Sequence, residues 1–140
     1  MRATGVVAEP TGLGPNDHVV WFYEEPEQFR AAAQRFLLEG LDRGERLLCV
    51  GDVAVSSVAD GTVALPQVRE LVHAGALQMV PTAEVYRTGS ASRSIDDQLA
   101  FYATALEQAL AAGYTGVRVA AEVTEMARDP ERWAEHLRWE

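Results

Sequence analysis

The chain has 140 residues, with 21 Asp and Glu against 12 basic residues, all of them arginine, for a formal net charge of −9. The absence of lysine excludes a Walker-type nucleotide site, whose lysine reaches the β- and γ-phosphates, and Schiff-base chemistry on a lysine amine. An acidic chain without a basic cluster disfavours nucleic acid, a single cysteine forbids an internal disulfide, and no run approaches the ~18 apolar residues of a membrane span.

Residues 1–16 hold two Pro and three Gly with no sustained period, which predicts a flexible N-terminal arm. The domain is expected over 17–140, a length suited to one core. The run His-Val-Val-Trp-Phe-Tyr from His18 to Tyr23 is β-branched and aromatic on both faces, and predicts a buried first strand. Pro26, preceded by Glu24 and Glu25, suits a helix start. Phe29, Ala33, Phe36, Leu37, Gly40 and Leu41 then recur at helical spacing, with Gly40 letting the helix lie close to a sheet and Gly44 ending it. Arg46 to Val50 predicts a second buried strand closing at Gly51-Asp52.

Val53 to Ala64 suits either a loop or a short helix. Pro66 opens a helix carrying Val68, Leu71 and Val72 and stopping at Gly75, and Leu77 to Val80 predicts a third strand. Thr82 to Arg93, with Tyr86 and Arg87, is long for a connection and is the expected functional loop or lid. Ser94 and Asp97 form an approximate capping box for a helix carrying Ile95, Leu99, Tyr102, Leu106 and Leu110 up to Gly113. Val117 to Ala121 predicts a fourth strand, and Asp129-Pro130 caps a last helix with Trp133 and Leu137. The chain stops inside that helix, which predicts a domain cut short or lacking its final elements. Strands alternating with helices imply an α/β fold, a mostly parallel sheet with helices on both faces. Ligands in such sheets sit beyond the carboxyl ends of the strands.

The order of strand, helix, Leu38-Glu39-Gly40-Leu41-Asp42-Arg43-Gly44-Glu45-Arg46, strand, then Leu71 to Pro81, resembles the opening of a RecA/KaiC-type domain. Where a P-loop would follow the first strand stands Phe22-Tyr23-Glu24-Glu25-Pro26-Glu27, with three carboxylates and no glycine, which would repel a phosphate. This degenerate pattern is similar to the DcmR-type sensory domain called MEDS. The matching residues are Asp17-His18 with Phe22-Tyr23, Phe36-Leu37 and Gly40-Leu41 with Gly44-Glu45, Ala112-Gly113-Tyr114 with Val117-Arg118-Val119, and Glu122-Val123-Thr124. The resemblance implies a RecA-like sheet without ATPase chemistry that senses small organic compounds such as hydrocarbon derivatives, beside phosphorelay, STAS or anti-sigma modules. Members often carry an aromatic after the Thr of the Glu122-Val123-Thr124 motif and a Phe-Asp before the third helix. Here stand Glu125 and Ser94-Ile95-Asp96, so ligand identity does not carry over.

The candidate ligand-binding residues are Tyr23, Glu24, Asp52, Tyr86, Glu122 and Thr124, all expected at the carboxyl rim of the sheet. Tyr23 suits a ring that caps an apolar ligand or a core aromatic with a backbone partner. Phe22 and Trp21 are expected mainly in the core. His18, at the opposite end of its strand, is expected to be structural, although the family pattern singles it out. Glu122 suits a pocket acceptor or a partner for Arg118, though Arg118 is expected to meet another acid. Cys49 reads as inert and buried. The three His with Cys49 give no zinc-ligand spacing, and Ser90, Ser92 and Ser94 have no partner base, so neither metal, cofactor nor catalytic constellation is expected.

The leading reading is a cytoplasmic, non-enzymatic bacterial sensory domain. It would bind a small neutral or cationic organic molecule and regulate a STAS, anti-sigma or kinase-type partner in transcriptional or sigma-factor control, without direct contact to nucleic acid or membrane. An oligomer is compatible with this. The alternative is a protein-protein interaction module without a ligand, its contact patch around Trp133, Leu137 and Trp139. A RecA-like enzyme without a phosphate loop is the third reading.

Overall fold

The computed structural model describes residues 11–14, 17–85, 95–131 and 133–134. Its elements are α1 (Pro26–Asp42), β1 (Arg46–Val50), α2 (Asp52–Ala59), α3 (Val68–His73), β2 (Leu77–Val80), α4 (Thr82–Val85), α5 (Ile95–Ala111), β3 (Val117–Ala121) and α6 (Thr124–Ala127). The three strands form one parallel sheet in the order β2-β1-β3. Leu47 lies beside Leu77 on one side and Arg118 on the other, and Val50 beside Val80 and Ala121.

β1 is central because its residues can be buried on both faces. Leu47, Leu48 and Val50 are fully buried, and truncating either leucine to Ala costs roughly 2–5 kcal/mol. The two-residue period sends Leu47 and Cys49 into a core with Ala33 and Leu37 of α1, Ala54 and Val58 of α2, and Leu77. Leu48 and Val50 turn to the other face, where they meet Val80, Val85 of α4 and Ala105 of α5, flanked by Phe101, Tyr102, Val117 and Val119. The expected α/β sheet with helices on both faces is the observed architecture.

α1 begins where expected. Pro26 follows the N-cap Glu25, and Gln28 Oε1 accepts from the backbone N–H groups of Glu24 (2.9 Å) and Glu25 (3.2 Å). The helix ends at a left-handed Gly44 (φ +73°), with Glu45 N donating to Gly40 O at 3.0 Å. Gly40 is needed for closeness to the sheet: a Cβ there would lie 2.6 Å from Arg118 Cδ and 2.9 Å from Leu47 Cδ2.

Three expectations are corrected. His18–Tyr23 is not a strand: Val20 is 43% and Phe22 79% exposed, and among the described residues the sheet has three strands rather than four. An apolar run satisfies the pattern of a buried strand without specifying a ladder partner. Thr82–Val85, expected as the start of a loop, is a helical turn that buries Val85. Thr124, expected to close the fourth strand, opens the short helix α6. The ambiguous stretch after Asp52 is helical up to Ala59, Asp52 being an acid in the first turn. Asp129 and Pro130 start a further helical segment as expected, with Asp129 Oδ1 accepting from Glu131 N at 3.1 Å. Leu137, Trp139, Ser94 and most of the expected lid lie outside the described residues.

Residues 12 and 13 touch the domain. Gly12 N donates to both carboxylate oxygens of Glu39 at 3.2 Å, and the Leu13 carbonyl accepts from the guanidinium groups of Arg43 and Arg118. No helix among the described residues is long and apolar enough to cross a membrane.

Candidate functional site

The carboxyl ends of the strands converge on Gly51. Its N–H donates to Val80 O of β2 at 2.9 Å, while Glu122 N, just past β3, donates to Val50 O at 2.9 Å. Gly51 adopts φ +107°, ψ 146°, a conformation open mainly to glycine. A Cβ there would stand 2.6 Å from the Glu122 carbonyl oxygen. This contact sets Glu122 at the sheet rim.

Glu122 is 8% exposed, an unusual position for a carboxylate. Its Oε1 accepts from Thr124 N at 2.9 Å, a tight local bond that fixes the side chain. The Tyr23 hydroxyl donates to the same Oε1 at a long 3.5 Å and lies 3.2 Å from Thr124 Oγ1. Tyr23 is half-buried, its ring against Phe29 of α1 at 5.3 Å between centroids. Two hydroxyls and a carboxylate, separated by about a hundred residues in sequence, thus meet at one corner. Sequence reasoning grouped these three residues through the strand-end rule, and they are together.

The remaining candidates lie elsewhere. Asp52 begins α2 on the other side of Gly51, where Thr82 N donates to its Oδ1 at 3.1 Å and Thr82 Oγ1 accepts from Asp52 N at 3.0 Å. That reciprocal pair ties α2 to α4. The role of Thr82 was not legible, since nothing in the sequence states which strand ends are neighbours. Glu24 is exposed, and its backbone N–H serves the start of α1. Phe22, expected in the core, is exposed and meets Trp133 edge-on at 6.4 Å. His18 is exposed, and Trp21 is half-buried with its indole Nε1 enclosed and, among the described residues, without an acceptor. Tyr86 lies outside the described residues.

Arg118 is a second buried charge, 4% exposed on β3. It meets Glu45 (Nε to Oε2, 2.5 Å) and Glu39 (Nη1 to Oε2, 3.5 Å), donates to the Phe36 carbonyl, and lies over the Phe36 ring at 4.7 Å. The expectation that Arg118 meets an acid other than Glu122 holds. This network joins α1 to β3 on the face away from α5, and its donors are used internally. Burial pushes the Cys49 thiol up to about 11, which keeps it protonated and unreactive. Among the described residues no group of three or more His, Cys, Asp and Glu could hold a metal ion.

The corner can accept hydrogen bonds, and the Glu122 carboxylate disfavours an anion there. No curated protein and no solved structure matches the chain, so the RecA/KaiC likeness rests on the sequence pattern alone. The family profile described as MEthanogen/methylotroph, DcmR Sensory domain matches residues 17–140. The chain therefore belongs to the MEDS family of sensory domains.

Proposed function

We propose that this sensory domain is non-enzymatic and binds a small neutral or cationic organic molecule at the corner formed by Tyr23, Glu122 and Thr124. The observation that carries this reading is the convergence of the Tyr23 and Thr124 hydroxyls on the buried Glu122 carboxylate beyond the carboxyl edge of a parallel sheet. A carboxylate held away from water attracts a hydrogen-bond donor or cation more strongly than an exposed one. The long Tyr23 bond is the weakest in the cluster, so a ligand group can replace it at little cost.

Ligand binding then shifts the balance between conformations of the domain and changes its contacts with a partner. A STAS, anti-sigma or kinase-type protein acting in transcriptional or sigma-factor control, in the cytoplasm, completes the proposal. The test is a thermal-shift screen of short-chain alcohols, alkylammonium ions and carboxylates against the wild type, Tyr23→Phe and Glu122→Gln. Stabilisation by alcohols or ammonium ions that is lost in Glu122→Gln supports the reading. Stabilisation by carboxylates, or by no compound, contradicts it.

One observation favours the second reading, an interaction module. Phe22 is 79% exposed and meets Trp133 edge-on, the kind of aromatic pair that anchors protein contacts. Loss of partner binding in Phe22→Ala, with no ligand dependence, would select that reading over the first.

A further inference from the structure

We infer that residues 12 and 13 are a docked latch, held by a main-chain clamp of Glu39, Arg43 and Arg118, and that this docking keeps Tyr23 at Glu122. Both Glu39 carboxylate oxygens accept the Gly12 N–H at 3.2 Å. The Leu13 carbonyl accepts from Arg43 Nη1 and, at 3.4 Å, from Arg118 Nη2. An acceptor for an N–H beside two donors for a C=O is the complement of peptide backbone. Bonds of this kind to ionised groups are roughly twice as strong as neutral ones.

The clamp is incomplete without the latch. A guanidinium carries five N–H donors, and burial makes each unmet donor costly. Around Arg118, whose side chain is 3% exposed, stand Glu45 Oε2 and Oε1, the Phe36 carbonyl, Glu39 Oε2 and the Leu13 carbonyl. Leu13 thus supplies the last acceptor, and it comes from outside the region 17–140 that matches the family profile. In the cluster the carboxylates of Glu39 and Glu45 balance the guanidinium groups of Arg43 and Arg118. A neutral peptide therefore enters it without leaving a charge unpaired.

Gly12 enters the clamp with a φ of +69°, in the left-handed region that favours glycine, and a Cβ on it would meet nothing within 4 Å. Its contribution lies in its dihedral angle and its N–H. Past the latch, Gly14 N donates to Asp17 Oδ2 at 2.7 Å and Asp17 N donates to Gly14 O at 3.2 Å, a turn that leads into the segment ending at Tyr23. Val19–Tyr23 make no backbone hydrogen bond to a described residue. Side-chain packing and the two ends set their place: the latched turn before them, and the Tyr23 hydroxyl at Glu122 and Thr124. At 3.5 Å the Tyr23 bond to Glu122 is too long to hold the segment alone, so the latch bears part of that restraint.

Nuclear magnetic resonance relaxation of the full chain, without any ligand, tests both parts. In the wild type the Leu13 and Tyr23 amides are expected to show order parameters near about 0.85, the value of rigid backbone. Gly12→Pro removes the N–H that Glu39 accepts and imposes φ near about −65°, while every clamp side chain stays in place. It is expected to drop Leu13 below about 0.6 and to lower Tyr23 by at least about 0.1, with Leu48 of β1 unchanged as the control for folding. Glu39→Ala, which removes the acceptor instead of the donor, is expected to do the same. A wild-type Leu13 below about 0.6 overturns docking. A rigid Leu13 that neither variant releases overturns the clamp. Release of Leu13 with Tyr23 unchanged overturns the hold on Tyr23.

Discussion

Gly51 and Glu122 are in contact across the carboxyl end of the sheet, so close that a Cβ on Gly51 would sit 2.6 Å from the Glu122 carbonyl. The position of the buried carboxylate thus depends on a residue without a side chain. Gly51→Ala adds a methyl group against backbone and forces alanine into φ +107°. The expected loss is at least about 2 kcal/mol, from strain of about 1–3 kcal/mol and the clash. Chemical denaturation would read it as a lower midpoint at unchanged slope.

Arg118 and Glu45 predict an asymmetry between breaking and replacing a buried ion pair. Arg118→Ala leaves Glu45, whose side chain is 9% exposed, without its main partner and is expected to destabilise by about 3–5 kcal/mol. Arg118→Met combined with Glu45→Gln removes both charges while keeping bulk, and is expected to recover most of that loss. Equal instability of the two variants would show that packing, not charge, dominates the network.

Cys49 sets an alkaline limit. Its folded value of about 11 lies above the unfolded 9.0 because burial disfavours the thiolate. The stabilisation is complete below pH 9 and is lost as pH rises from 9 through 11, because the unfolded chain ionises first. Denaturation midpoints measured across that window should fall less steeply in Cys49→Ala than in the wild type. A disulfide-exchange reagent should label Cys49 only after unfolding.

Asp60 behaves in the opposite direction. The Thr62 hydroxyl and then the Thr62 backbone N–H hydrogen-bond its carboxylate and lower its pKa below 3.8. Its contribution is present above pH 3.8 and is lost as pH falls through the folded value. Thr62→Val removes the larger cause, so an NMR titration should show the Asp60 pKa moving up toward 3.8.

The sequence was informative where short-range signals decide the outcome. Arg46–Val50, Leu77–Val80 and Val117–Ala121 are brief apolar runs bounded by loops, and all three are strands at the expected limits. Pro26 and Gly44 mark the start and end of α1 through fixed dihedral preferences. The run from His18 to Tyr23 carries an equally strong β pattern but is not a strand, because a ladder requires a partner edge and no local signal encodes one. The same limit applied to the rim. The strand-end rule brought Tyr23, Glu122 and Thr124 to one place, whereas the pairing of Asp52 with Thr82 required knowledge that β1 and β2 are neighbours. The Phe22 error follows from treating aromatic character as burial, which holds on average but fails at this exposed position.

Ligand binding at Glu122 is tested by calorimetric titration of the wild type and Glu122→Gln with the alcohol or alkylammonium ion that gives the largest thermal shift. Saturable one-site binding to the wild type is expected, weakened at least about tenfold by Glu122→Gln, or about 1.4 kcal/mol. Equal affinity for both proteins, or tighter binding of the carboxylate of the same chain length, would contradict it.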